Sequence, residues 1–145
     1  IVKSAHEAAL TIDGRRDIKT TCELPETTPL RTNVDRRLVT AVVREVIGNA
    51  LRLACSRVEI EVEQVGRTAI VRVHDDGPGF SEEVLASLGE RFTPRSSVRG
   101  LGLSLSMAKE VLAAHGGELH VGTSALPPNR RGTRGAAVIV SLPLV

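Results

Sequence analysis

The spacing of apolar side chains changes several times along the chain, and each change predicts an element. Residues 36–54 (RRLVTAVVREVIGNALRLA) carry apolar residues at 38, 42, 46, 50 and 53, the spacing of one helix face. Val39, Val43 and Ile47 add a second apolar row, so this helix is expected to be mostly buried, with Asn33 or Asp35 placed to cap it. The period then falls to two. Residues 57–64 (RVEIEVEQ) and 68–74 (TAIVRVH) alternate apolar and polar on either side of Gly66, which predicts a hairpin of half-buried strands. Residues 101–115 (LGLSLSMAKEVLAAH) return to helical spacing, with Leu101, Leu105, Ala108 and Leu112 inward and Gly116-Gly117 as the stop. Shorter patterns predict a helix over 1–10, a strand over 17–24 and closing strands over 118–122 and 135–142. The stretch 75–100 reads as irregular with one short helix at 81–88, and 127–134 (PPNRRGTR) as a solvated surface connection. Together these elements predict an α+β fold, a two-layer α/β sandwich whose mixed, mostly antiparallel sheet is covered on one face by helices.

Composition narrows the functional classes. A length of 145 residues fits one domain over 1–145. Apolar residues at 41% and charged residues at 25% are globular values and exclude a disordered chain. There is no Trp and no Tyr, and the only rings of the Phe type are Phe80 and Phe92, so the core is expected to be aliphatic. No nucleic-acid partner is expected, because nothing is available for bases to stack on and a net charge of +2 draws no polyanion. Cys22 and Cys55 are too few and too far apart for a disulfide framework or a Cys-based metal site. No run of about 18 apolar residues is present to span a membrane. The chain opens on Ile1 rather than Met, as expected of a piece of a longer protein.

Seven of the 13 glycines fall between 77 and 117, which places the special backbone geometry there. Asp75-Asp76-Gly77-Pro78-Gly79 follows directly on a predicted strand. Its glycines allow a sharp turn and a close approach to a flat ligand, and Asp75 offers a carboxylate to an exocyclic amine; the same composition also makes an ordinary acidic turn. Arg99-Gly100-Leu101-Gly102 opens a helix, where free N–H groups at a positive helix end suit a phosphate; it reads equally as a glycine-bearing loop. Glu45, Asn49 and Arg52 lie at i, i+4 and i+7 on an otherwise apolar helix. Their oxygens suit Mg²⁺ shared with substrate phosphates, and the guanidinium suits a phosphate oxygen; the alternative is the wet face of an amphipathic helix.

In their order along the chain these stretches resemble the ATP-binding domain of the GHKL superfamily, most closely the sensor histidine kinases of two-component systems. REVIGNALRLA (44–54) is similar to the family's N box, VHDDGPGF (73–80) to its first glycine box and ERFTP (90–94) to its F box. RGLGLSLSMAKEVLAAHGGELHV (99–121) resembles the second glycine box with its helix and strand entry, so the likeness covers about residues 33–142.

The resemblance implies ATP and Mg²⁺ as cofactors, with Asp75 accepting from the adenine amine and Gly77 and Gly79 shaping the pocket floor. It implies Asn49 as a Mg²⁺ ligand with help from Glu45, and Arg52 near the phosphates. Residues 80–98 would form an ATP lid anchored by Phe92, with Arg99, Gly100, Leu101 and Gly102 presenting the helix to the triphosphate. Where many members carry further glycines before Gly100, this chain has Ser96-Ser97-Val98-Arg99. His6-Glu7 continues as Ala-Ala-Leu and lacks the phosphoacceptor pattern. The γ-phosphate would therefore pass to a His on a separate dimerisation domain, with 1–16 as a linker or helix from that domain, and onward to a response regulator. The parent is expected to be a homodimer anchored in the cell membrane, with this domain cytoplasmic. The competing classes are a GHKL-type ATPase, in which Glu45 would activate water, and an anti-sigma serine kinase.

Overall fold

The structure, a computed structural model, describes residues 1–13, 17–24, 30–82 and 101–145. Three helices and five strands run in the order α1 (Val2–Asp13), β1 (Lys19–Glu23), α2 (Arg36–Leu53), β2 (Arg57–Val65), β3 (Thr68–Asp75), α3 (Leu101–Ala114), β4 (Glu118–Thr123) and β5 (Ala136–Pro143) among the described residues. The strands form a sheet of order β1-β2-β3-β5-β4, parallel where β1 meets β2 and antiparallel elsewhere. This is the expected α+β sandwich, with element ends within a few residues of those predicted from the pattern.

Alternation decides which face of the sheet is covered. Register pairs Val58 with Asp75, Ile60 with Val73, and Val73 in turn with Val138. Val58, Ile60, Val71, Val73, Val138, Val140 and Leu119 all join the buried core. Glu59, Glu61, Glu63 and Arg72 take the alternate positions on the other face, where Arg72 meets Glu63 at 2.6 Å. A slip of one residue would exchange the two sets, so burial itself fixes the register.

The helices cover the apolar face. Asp35 caps α2, its Oδ1 accepting from the amides of Arg37 at 3.0 Å and Leu38 at 3.1 Å. The buried stripe of α2 comprises Val39, Val42, Val43, Val46, Ile47, Ala50 and Leu51. Leu38 was expected inward and is instead 49% exposed. Successive residues turn through about 100°, so Leu38 lies a quarter-turn outside a stripe centred near Val39 and Val46. Helix α1 lies against α2, with Ala5 and Ala9 fully buried in the same core. On α3, Leu105, Ala108 and Leu112 point inward as predicted. The Gly116 and Gly117 amides close its last turn on Ala113 and Leu112 at 3.1 and 2.8 Å.

Among the buried polar groups without a partner is a hydroxyl on α3. Ser106 is 3% exposed, and its hydroxyl makes no hydrogen bond among the described residues. Ser106→Ala is expected to stabilise the chain by about 1 kcal/mol, or roughly 2–4 °C in melting temperature. Thermal unfolding followed by circular dichroism checks this, and a lower melting temperature would refute it.

Candidate functional site

Two adjacent carboxylates end β3, and the structure uses them differently. Asp76 turns back to the start of β2, where its Oδ1 accepts from the amides of Cys55 and Ser56 at 2.9 Å and Arg57 at 3.0 Å. Its Oδ2 accepts from the Ser56 hydroxyl, and its own amide donates to the Arg57 carbonyl. Burial alone would raise this carboxyl, but the four donors outweigh it and hold the group below the usual aspartate range.

Asp75 shares the face of Val71 and Val73 and therefore points to the helix side of the sheet. It is 4% exposed. Its Oδ1 accepts from the Gly77 amide at 2.8 Å and the Ala136 amide at 3.3 Å, and among the described residues nothing donates to Oδ2. Burial raises this carboxyl above the usual range, the two amides draw it back only partly, and the neighbouring Asp76 charge adds to the rise. A buried carboxylate with one oxygen fixed and the other uncommitted is an acceptor prepared for an N–H donor.

Close backbone packing holds this turn. A Cβ on Gly77 would collide with the Leu53 carbonyl at the end of α2, and one on Gly135 would collide with the Asp75 backbone. Gly79 adopts φ +76°, as the turn after the acids requires. Gly77 thus does more than leave room for a ligand: its lack of a side chain lets the glycine-rich turn tuck under α2. Gly135 makes the matching approach from β5 and was not singled out in the sequence, where it reads as a strand residue.

The polar row of α2 reaches the same region, since its last turn meets Gly77. Asn49 is 4% exposed; its Oδ1 accepts from Arg52, and its Nδ2 is buried with no partner among the described residues. Glu45, one turn earlier, is half-buried and has no partner among the described residues. An orphaned buried donor is costly, by about 1–3 kcal/mol, unless a ligand meets it. The amide and carboxylate oxygens of Asn49 and Glu45 are hard donors of the kind Mg²⁺ takes. No group of three or more His, Cys, Asp or Glu residues able to hold a metal occurs among the described residues. The donor set therefore fits an ion that completes its shell with phosphate oxygens and not one caged by protein alone.

The connection between β4 and β5 is solvated over 127–134 as expected, with 129 half-buried and the rest exposed, and it is also tied into the site. Ser124 and Leu126 are buried, the Ala125 amide lies 3.3 Å from His74 Nδ1, and Arg134 donates to the Leu126 carbonyl at 3.3 Å. Asn129 donates from Nδ2 to the carbonyls of Asp76 at 3.0 Å and Gly77 at 3.3 Å. Local composition hides this, because the partners are backbone atoms some fifty residues away. His74 is buried and its Nδ1 accepts from the Ala125 amide, while His115 bonds the Val111 carbonyl at 2.7 Å at the end of α3.

Phe92, Arg99, Gly100, the helix predicted at 81–88 beyond its first two residues and most of the proposed lid lie outside the described residues. Leu101 and Gly102 lie in the first turn of α3, and Phe80, at the near edge of the proposed lid, packs against the core.

The described residues of the candidate site thus comprise a strand-end acid, a glycine turn tucked under a polar-faced helix and the opening turn of α3. Residues 34–145 match the family described as histidine kinase-, DNA gyrase B- and HSP90-like ATPase, and the chain belongs to it. The signal transduction histidine-protein kinase AfsQ2 of Streptomyces coelicolor is 38% identical over 90 residues, spanning 59% of this chain and 17% of that protein. Sensor protein QseC of Escherichia coli K12 is 34% identical over 89 residues, covering 60% of this chain and 19% of its own length. Among solved structures, the mycobacterial sensor histidine kinase MprB superposes with a TM-score of 0.76 at 25% identity, covering 99% of this chain and 91% of that one. The chain thus spans about a fifth of the length of such curated relatives. Among the described residues no helix is long and apolar enough to cross a membrane.

Asp76 generates a prediction about stability. Asp76→Ala strands the turn of Cys55, Ser56 and Arg57 and is expected to cost about 2–4 kcal/mol in urea unfolding. The folded-state pKa is depressed, so the Asp76 contribution is complete above the ordinary aspartate range and is lost as pH falls through the depressed value. The stability gap between the parent and Asp76→Asn should therefore narrow below about pH 4.

Proposed function

We propose that this chain is the ATP-binding catalytic domain of a two-component sensor histidine kinase, passing the γ-phosphate of Mg-ATP to a His on a separate dimerisation domain. The observation that carries the reading is Asp75: a buried carboxylate, oriented by the Gly77 and Ala136 amides, whose second oxygen meets no protein donor. An adenine amine supplies that donor, whereas guanine would set a carbonyl against the carboxylate. Gly77 and Gly79 let the turn pack close to the Leu53 and Arg134 carbonyls and would so shape the pocket floor under an adenine.

At the other end of the site, Asn49 and Glu45 supply oxygens to Mg²⁺, and Arg52, already on Asn49, can reach a phosphate oxygen. Held by Asn49 and Glu45, Mg²⁺ would supply charge neutralisation at the phosphates during transfer. The N-terminal turn of α3, with Leu101 and Gly102, directs N–H groups toward the phosphates, joined by Arg99 and Gly100. From the resemblance, residues 80–98 would form the lid, with Phe92 as its anchor. The chain's residues position and neutralise; none is required as a nucleophile, which agrees with phosphoryl transfer by orientation and electrostatics. Support also comes from the similar sensor kinases, and from the full-length ShkA structure, which contains AMPPNP and shares this fold with a TM-score of 0.74 at 20% identity. Helix α1 would continue from the dimerisation domain, and a response regulator would receive the phosphate. The parent would be a homodimer anchored in the membrane with this domain on the cytoplasmic side.

Two outcomes test the reading. Asp75→Asn keeps an Oδ1 for the two amides but turns the second acceptor into a donor. It should weaken ADP binding roughly 10- to 100-fold in calorimetry. Because the folded-state pKa of Asp75 is raised, its ionisation destabilises the native state as pH rises past the ordinary aspartate range. The variant should therefore melt no lower than the parent at pH 7, with its relative advantage fading toward pH 4. The second outcome concerns transfer. Mixed with its parent's phosphoacceptor hairpin and Mg-ATP, the chain should form an acid-labile, base-stable phosphohistidine, and Asn49→Ala should largely abolish it. Rapid ATP hydrolysis by the chain alone, without such transfer, would instead favour an ATPase.

A further inference from the structure

We propose that Asn129, in the connection between β4 and β5, is a positioning residue that sets the adenine-selecting carboxylate of Asp75; the inference rests on the nucleotide reading of that turn. The connecting element is a single peptide plane. The Asp76–Gly77 peptide offers its N–H to Asp75 Oδ1 at 2.8 Å and its carbonyl oxygen to Asn129 Nδ2 at 3.0 Å. Planarity makes these two bonds one constraint, because rotating the plane to release Asn129 also swings the N–H away from Asp75. Nδ2 also lies 3.3 Å from the next carbonyl, that of Gly77, so the following plane is held as well. Hydrogen bonds on both sides of an amide polarise it, which strengthens the bond to the carboxylate.

The side-chain orientation is fixed by its surroundings. Asn129 Oδ1 accepts from the amides of Arg131 at 2.9 Å and Thr133 at 3.2 Å. A flipped amide would set its oxygen against two carbonyls and its NH₂ against two N–H groups, so only one orientation satisfies all four. The loop that presents Asn129 is itself tied down. Ala125 is bonded to His74 and Arg134 to the Leu126 carbonyl, while the backbone of Asn129 and Thr133 closes at 2.9 Å. From the opposite side the Leu53 carbonyl presses on Gly77. The turn is therefore gripped between α2 and this loop, and Asn129 supplies the side-chain part of the grip.

Two variants separate positioning from loop folding. Asn129→Asp keeps an Oδ1 for the Arg131 and Thr133 amides but removes the Nδ2 donor, whereas Asn129→Ala removes both. Both should raise the ADP dissociation constant roughly 5- to 30-fold and shrink the preference for ADP over GDP, with modest changes in melting temperature. An Asn129→Asp chain that binds ADP and rejects GDP like the parent overturns the inference. So does a pair of folded variants that lose ADP and GDP affinity equally. A measurement on the unmutated chain covers the case in which either variant fails to fold. On saturation with ADP, the Asn129 side-chain amide resonances should shift, while those of Gln64, bonded to Gly66 at the far hairpin tip, stay in place. Unmoved Asn129 resonances on a chain that binds ADP also overturn it. Failure of the unmutated chain to bind ADP at all would instead remove the nucleotide reading itself.

Discussion

The structure around the site depends on one carboxylate that has nothing left to give a ligand. Asp76 gathers three consecutive amides and a hydroxyl at the junction of α2 and β2, and so welds the end of the central hairpin to the end of the central helix. Two neighbouring acids would otherwise repel in a poorly solvated pocket. Consuming the charge of Asp76 in four charge-assisted bonds reduces that conflict and leaves Asp75 to face inward. Strand geometry does the sorting, since residues adjacent in sequence point to opposite faces. The acid doublet is thus one structural anchor and one acceptor left with an uncommitted oxygen.

The remaining site carries unrelieved costs of its own. Burial disfavours the charged form of Asp75, and Asn49 buries a donor that no described residue satisfies. Neither is explained by folding alone, and both are the kind of local penalty that persists at sites arranged for something else to complete. A nucleotide amine would answer the first, and a phosphate oxygen accepting from the Asn49 amide the second. Ligand binding would then act back on stability by mass action, more strongly than the modest number of contacts alone would indicate.

Much of this was legible in the sequence because it rests on periodic burial. The alternation of 57–64 and 68–74 and the two-row pattern of α2 each report contact with one core, and they locate the sheet and its helices closely. Leu38 misleads because a four-residue step drifts about 40° per repeat, so a row that fits the spacing can still leave the stripe. Asp75, Gly77 and Asn49 stood out in the sequence because the side chain, or lack of one, is what makes each a candidate. Asn129 and Gly135 were not. Their partners are carbonyl groups of distant residues, which every sequence possesses and none advertises. The fold makes an ordinary-looking loop into part of the site by bringing β5 beside β3.

That adjacency of β3 and β5 has a consequence for assembly in time. The Asp75 carboxylate is oriented in part by the Ala136 amide, 61 residues further along, and the turn beside it is held by a loop that begins beyond β4. A chain emerging from a ribosome therefore presents its helices and its first hairpin early, built on local contacts that form readily. The recognition group stays unset until the last strand docks and closes that long loop. Nucleotide affinity would then arrive only once β5 has been made and has docked, and a domain lacking that strand would be blind to ATP.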